Sequence, residues 1–168
     1  RPGLLDADGA VRDLSGVIDD IAGAALSPGS LARLAALAPA GLPKVEEPGR
    51  LGPCIGRVGK FICIGLNYAD HAAESGLPVP TEPVIFTKAT SAIVGPNDEV
   101  IQPIGSTKLD WEVEFGVVIG TEARYVPEDR ALQHVAGYCV INDVSERAFQ
   151  IERGGTWDKG KGCDTFGP

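Results

Sequence analysis

The sequence predicts a mainly β domain of the α+β class, rolled or barrel-like, preceded by a small leading module. Three observations carry this. Twenty-two glycines and thirteen prolines imply many turns and short elements. Five short runs rich in β-branched and aromatic residues follow Gly59, separated by Gly- or Pro-rich joints. The long helical patterns of an alternating βαβ chain are missing between them. The expected division is residues 1–55 for an α+β module and 56–168 for the first part of the β domain.

Taken in order, Asp6-Ala7-Asp8-Gly9 is a turn signal between short apolar segments and predicts a hairpin. Ser15 is placed to cap a helix over 16–26, and Ser30 another over 31–37, which Gly41-Leu42-Pro43 ends. Glu46-Glu47-Pro48-Gly49-Arg50 reads as a linker. Strands are predicted over 60–64, 84–88, 99–102, 111–119 and 137–142. Asn67 is placed to cap a short helix that Gly76 and Pro78 terminate, and Pro127 opens another running to His134. A last short helix is expected over 144–152.

Composition narrows the function classes. With 15 basic and 23 acidic residues the formal net charge is −8, which disfavours nucleic acid and anionic membrane as partners. No apolar run approaches a membrane span, and no secretory segment opens the chain. Cys54, Cys63, Cys139 and Cys163 form no Cys-x-x-Cys pair, so neither a disulfide framework nor a zinc site is indicated. A reducing, cytoplasmic setting is expected. The chain starts at Arg1, contains no Met, and stops soon after Lys161, and it reads as a piece of a longer protein.

The chemistry concentrates in the run Asp110-Trp111-Glu112-Val113-Glu114-Phe115. Strand alternation puts Asp110, Glu112 and Glu114 on one face, and Trp111, Val113 and Phe115 on the other. Like charges about 4 Å apart repel by about 4 kcal/mol at an effective dielectric near 20. No Lys or Arg interleaves them, and a hard divalent cation is the economical neutraliser. The plain alternative is a half-buried strand with its charged face in solvent. Asp143, at the end of a predicted strand, reads either as the cap of the next helix or as a third oxygen ligand beside Glu112 and Glu114. Three carboxylates completed by water suit Mg²⁺ or Mn²⁺.

Two further groups stand out. On a short helix His71 and Glu74 are three apart and share a face, where a carboxylate fixes the imidazole tautomer and strengthens it as a general base. The alternative is an ordinary exposed helix turn. Gly- and Pro-rich flanks suit this segment to act as a lid. Lys88, Arg147, Lys159 and Lys161 are cations suited to hold a substrate carboxylate or an oxyanion.

Together these pieces resemble the fumarylacetoacetate hydrolase family, from about Lys60 to Pro168. The resemblance rests on Gly65-Leu66-Asn67-Tyr68-Ala69-Asp70-His71, Glu82-Pro83-Val84-Ile85-Phe86-Thr87-Lys88, Asp110-Trp111-Glu112-Val113-Glu114, Asn142-Asp143-Val144-Ser145-Glu146-Arg147, and Lys161 before Asp164-Thr165. It implies a β-roll catalytic domain, incomplete here at its C-terminal end, and a homodimer. It also implies Mg²⁺ or Mn²⁺ held by Glu112, Glu114 and Asp143, and water activated by His71 and Glu74. Lys161 is then expected to support developing negative charge, and Lys88 and Arg147 to lie at the substrate.

The expected activity is metal-dependent hydrolysis of a C–C bond in a 2-oxo or diketo acid, acylpyruvate-like or sugar-derived. The substrate would be small and anionic. Isomerase, decarboxylase or ureidoglycolate-type lyase chemistry on the same fold is the enzymatic alternative. A non-catalytic oxo-acid binder is the rival from another class, disfavoured because a binder has no use for a water-activating dyad.

Overall fold

The first turn is made by one carboxylate. Asp6 Oδ1 accepts the N–H groups of Asp8 and Ala10 at 3.0 and 2.9 Å, while Oδ2 takes Arg12 Nε at 2.7 Å. Gly9 supplies the positive φ of 77° that the turn needs. The predicted hairpin follows, with β1 (Gly3–Leu5) antiparallel to β2 (Val11–Asp13) and Leu4 opposite Arg12. The computed structural model describes residues 1–168.

The chain forms two compact units. One comprises residues 1–58, 95–97 and 114–141, the other residues 59–94, 98–113 and 142–168. The leading segment therefore shares its unit with a later strand pair, where the sequence suggested a self-contained module of 55 residues.

In the first unit the expected helix over 16–26 is absent. Asp13 Oδ1 takes the Ser15 N–H at 2.7 Å and makes a turn instead of a cap. Gly16, Asp19 and Asp20 are poor helix formers, and only a 3₁₀ turn, Gly23–Leu26, survives. The next helix, α1 (Pro28–Ala35), starts earlier than expected. Ser27 is its cap, accepting the Ser30 N–H at 3.4 Å, because Pro28 fits the first helical position. Strand β6 (Val113–Ile119) is hydrogen-bonded to β7 (Val135–Asn142), with a 3₁₀ turn, Glu128–His134, between them. At Gly116 a Cβ would lie 2.7 Å from Cys139 Sγ, so this position must stay bare.

The second unit is built from three small pieces. Strand β3 (Ile62–Gly65) is antiparallel to β4 (Val84–Thr87), with Cys63 opposite Phe86. Helix α2 (Ala69–Glu74) joins them. Strand β5 (Leu109–Asp110) is antiparallel to β8 (Ser145–Glu146), and a π-helical turn (Ala148–Glu152) and helix α3 (Asp158–Lys161) follow. Its core holds Ala72, Phe86, Ala92, Val144, Ala148 and Phe166.

Three predicted elements of this unit change. Residues 99–102 form no strand, because the Ile101 N–H goes to Thr165 Oγ1 at 2.8 Å and Pro103 follows. The single strand expected over 111–119 breaks at Trp111-Glu112, where β5 pairs with β8 and β6 with β7. The helix expected over 144–152 begins as β8, whose pairing with β5 overrides the local helical preference. No helix is long and apolar enough to cross a membrane.

Burial from Asp110 to Gly120 alternates strictly, but its sense is the reverse of a solvated charged face. Asp110, Glu112 and Glu114 are half-buried, while Trp111, Val113, Phe115, Val117 and Ile119 are exposed. The carboxylate face points into the protein.

Candidate active site

The inward carboxylates of the second unit end in an interlocked set of charges. Backbone geometry brings them together, since the Asp143 N–H donates to the Glu112 carbonyl at 2.9 Å and the Glu112 N–H to Asn142 Oδ1 at 3.2 Å. Asp143 Oδ2 and Glu112 Oε2 then converge on one atom, Lys161 Nζ, at 2.7 and 2.6 Å. Asp143 Oδ1 accepts Lys88 Nζ at 2.5 Å, and Lys88 also donates to the Val144 carbonyl at 3.0 Å. Glu112 Oε1 accepts a short bond from Arg147 Nη2. Arg147 reaches Asp110 Oδ2 through Nε at 2.9 Å and Gln150 Oε1 through Nη1 at 3.0 Å.

These charges are withdrawn from water. Side-chain exposure is 0% for Lys88, 2% for Lys161, 5% for Asp143 and 14% for Glu112. Aromatic faces line the cations, with Lys161 Nζ 5.1 Å from the Phe86 ring centre and Lys88 Nζ 5.9 Å from that of Phe166. Burial pushes the Asp143 carboxyl up, but Lys88 and Lys161 outweigh it and hold the group below the usual carboxylate range. Burial pulls the Lys88 ammonium down, and Asp143 offsets only part of that because Lys161 shares it. Arg147 also loses solvation, yet its bonds to Glu112 and Asp110 prevail and raise it.

A scaffold of backbone amides stands behind this set. Glu146, fully buried, accepts the N–H groups of Thr107, Lys108 and Phe149 at 3.2, 2.6 and 3.0 Å. Burial works to raise its carboxyl, and those bonds together hold it down instead. The clamp ties the approach to β5 to the turn that follows Arg147. Gly160 lets α3 close on the same segment, because a Cβ there would meet the Glu146 carbonyl and lie 2.6 Å from Gln150 N. Lys161 is placed by that contact.

The sequence-derived candidates are therefore distributed unevenly. Glu112, Asp143, Lys88, Arg147 and Lys161 meet in one cluster. Glu114 belongs to the first unit, half-buried and engaged, and no three ligating side chains are gathered into a metal cage. The chemistry of the convergent pair nonetheless fits a hard cation. Two carboxylate oxygens from separate segments face one buried point, and an ammonium stands at that point as the cation. Glu112 and Asp143 would be the donors here.

Lys88 and Arg147, expected at the substrate, stand in this cluster with donors directed at Asp143, Val144, Asp110, Glu112 and Gln150. In this state they organise the carboxylates. Asp143 caps no helix, since β8 follows it.

His71 and Glu74 both lie on α2 and are exposed. Among the described residues no hydrogen bond or ion pair joins them to each other. Tyr68, not Asn67, occupies the N-cap of α2, without a side-chain cap bond, and Gly76 closes the helix with a φ of 66°.

Sequence reasoning missed Glu146, Gln150 and the partnership of Asp110 with Arg147. Gln150 stands three residues after Arg147, a spacing that one turn of any helix brings together. For Glu146 no local signal exists, because its partners lie 38 and 39 residues away as well as in the next turn.

Residues 60–168 match the family model described as fumarylacetoacetate (FAA) hydrolase C-terminal. A provisionally named hydrolase of Burkholderia ambifaria is 67% identical over all 168 residues, and the chain spans 60% of that relative's length. Among solved structures, a fumarylacetoacetate hydrolase from Exiguobacterium antarcticum is 32% identical with a TM-score of 0.76, over 99% of this chain and 59% of that one. A 5-carboxymethyl-2-hydroxymuconate delta-isomerase from Mycobacterium smegmatis is 41% identical with a TM-score of 0.62, over 71% and 47%. The mixed short helices and strands are the fold of these proteins, and the chain belongs to the fumarylacetoacetate hydrolase family.

Proposed function

We propose that the intact protein is a divalent-metal-dependent hydrolase that cleaves a C–C bond in a 2-oxo or diketo acid, acylpyruvate-like or sugar-derived. The observation that carries this reading is the pair of buried carboxylates, Glu112 and Asp143, turned on one cation position. When bound, Mg²⁺ or Mn²⁺ supplies Lewis acidity toward adjacent carboxylate and keto oxygens. Glu112 and Asp143 hold the ion, with Glu114 as third ligand in the intact site. Lys88 and Arg147 keep the outer carboxylate oxygens fixed, so the inner ones need little reorganisation.

His71 serves as general base and Glu74 orients it, once α2 moves from its exposed position over the substrate. Lys161 stabilises negative charge that develops on the substrate. The same reading carries a homodimer in a cytoplasmic setting, with a small anionic substrate and no nucleic-acid or membrane partner. The formal charge of −8 supports the last point.

A second reading is isomerase or decarboxylase chemistry, which needs the metal and a stabilised enolate but no activated water. The unjoined His71 and Glu74 and the isomerase at 41% identity favour it. His71→Ala decides between them. In the intact protein it should abolish turnover of an acylpyruvate and leave Mn²⁺ binding, read by calorimetry, unchanged. Full turnover in that variant would remove the water-activation step and leave the second reading.

A further inference from the structure

The carboxylate oxygens that face each other are not vacant, because Lys161 Nζ spans them at 2.6 and 2.7 Å. A divalent ion seated where these two oxygens converge would take the place of the ammonium, since two cations do not share one buried point. The three cations of the cluster are also not equivalent. Lys88 has a neutral acceptor in the Val144 carbonyl, and Arg147 has Asp110 and Gln150 besides Glu112. Among the described residues, the Lys161 ammonium donates only to the two convergent carboxylates.

Resting on the metal-dependent reading above, we propose that Lys161 is a tethered counter-cation. It holds Glu112 and Asp143 until a divalent ion takes them, and is thereby freed to bind an anionic oxygen of the substrate. No covalent bond is made or broken, and the ammonium changes partners.

Charge balance gives the exchange a direction. Asp110, Glu112 and Asp143 face Lys88, Arg147 and Lys161 in a set with no net charge. A divalent ion added to it leaves positive charge in excess inside a poorly hydrated site, even with Glu114 joining as third ligand. Uncompensated buried charge is costly, so an anion must enter with the ion. Metal and oxo-acid binding should thus strengthen one another, and Lys161 should set how strongly. Its ammonium already stands 5.1 Å from the Phe86 ring centre, so the head group has a cation-friendly surface beside it on which to shift.

The test is calorimetric titration of Mn²⁺ into the intact protein, with and without oxalate as the anionic probe, for wild type and Lys161→Met. Methionine keeps the length and apolar packing but not the charge. In the variant, Mn²⁺ alone should bind about tenfold tighter, and the strengthening by oxalate seen in wild type should fall by a similar factor. Equal or weaker Mn²⁺ binding by the variant would overturn the exchange while leaving the metal reading intact. No Mn²⁺ binding in either protein would overturn both.

A measurement on wild type covers the case in which the variant does not fold. Acetic anhydride labelling of Lys161, read by peptide mass against exposed Lys44, should rise with Mn²⁺ and fall again when oxalate is added. Labelling of Lys161 that ignores Mn²⁺ would overturn the proposal.

Discussion

At the scale of single residues the informative side chain is Asp143. Its sequence position permits a helix cap or a ligand, and the choice is made by two lysines from distant segments, 55 and 18 residues away. Those lysines are buried, so their counter-charge is indispensable to them. Replacing Asp143 by Asn leaves Lys88 and Lys161 with one carboxylate between them and should cost about 3–5 kcal/mol. Urea denaturation of the intact protein reads this directly. The exposed pair Lys44–Glu46, at 2.8 Å, provides the contrast. Lys44→Ala should leave the midpoint in place, because water screens that pair.

Elements are where sequence reading and structure part company most. Val144-Ser145-Glu146-Arg147 looks in sequence like the start of a helix. Instead, Ser145 and Glu146 form a two-residue strand against Leu109 and Asp110. The reason is non-local, since Glu146 satisfies amides at Thr107 and Lys108, and no window along the chain contains both partners. Helix α3 is equally hidden. Its four residues include a glycine, a poor helix former, yet Gly160 is what allows Lys161 to reach the carboxylates. Gly160→Ala improves helix propensity but should destabilise the protein by about 1–3 kcal/mol through overpacking against Glu146 and Gln150. By drawing Lys161 off Glu112 and Asp143 it should also tighten Mn²⁺ binding, in the same direction as Lys161→Met. A thermal scan paired with a Mn²⁺ titration checks both, and a stabilised variant would contradict the close approach.

For the whole molecule, the buried acids set the pH response. Asp143 and Glu146 both have folded-state carboxyls held below their ordinary values. Their contribution is complete above the unfolded pKa values, about 3.9 for Asp and 4.3 for Glu, and is lost as pH falls through the folded ones. The unfolding temperature should hold from neutral pH to about 5 and drop below about 4. Glu146→Gln should start lower at neutral pH and lose less on acidification, because the proton it would take up is no longer in play. Differential scanning calorimetry across that range is the check, and an unchanged acid limb would show that Glu146 is not held ionised. At this scale the exposed apolar faces also matter. Phe115 stacks on Tyr138 with ring centres 5.0 Å apart on the exposed side of the β6–β7 pair, and Ile62, Ile64 and Ile85 are exposed on the β3–β4 pair.

What the sequence determined by itself is the β-rich class, the hairpin, most strand positions and the residues of the charge cluster. Each of these is written locally, in alternation, turn chemistry and short runs of acidic or basic residues. It also carried the alternation of Asp110, Glu112 and Glu114 with apolar residues, which persists in burial across the break at Trp111-Glu112. Which way the carboxylate face points was open, and only the tertiary structure turned it inward. For Asp110 and Glu112 the cause is long-range charge pairing, in which Arg147 and Lys161 draw the carboxylates in while the apolar face stays exposed. Which cation answers which carboxylate was likewise decided only by folding, since each pair is closed between residues 18 to 55 apart in the chain.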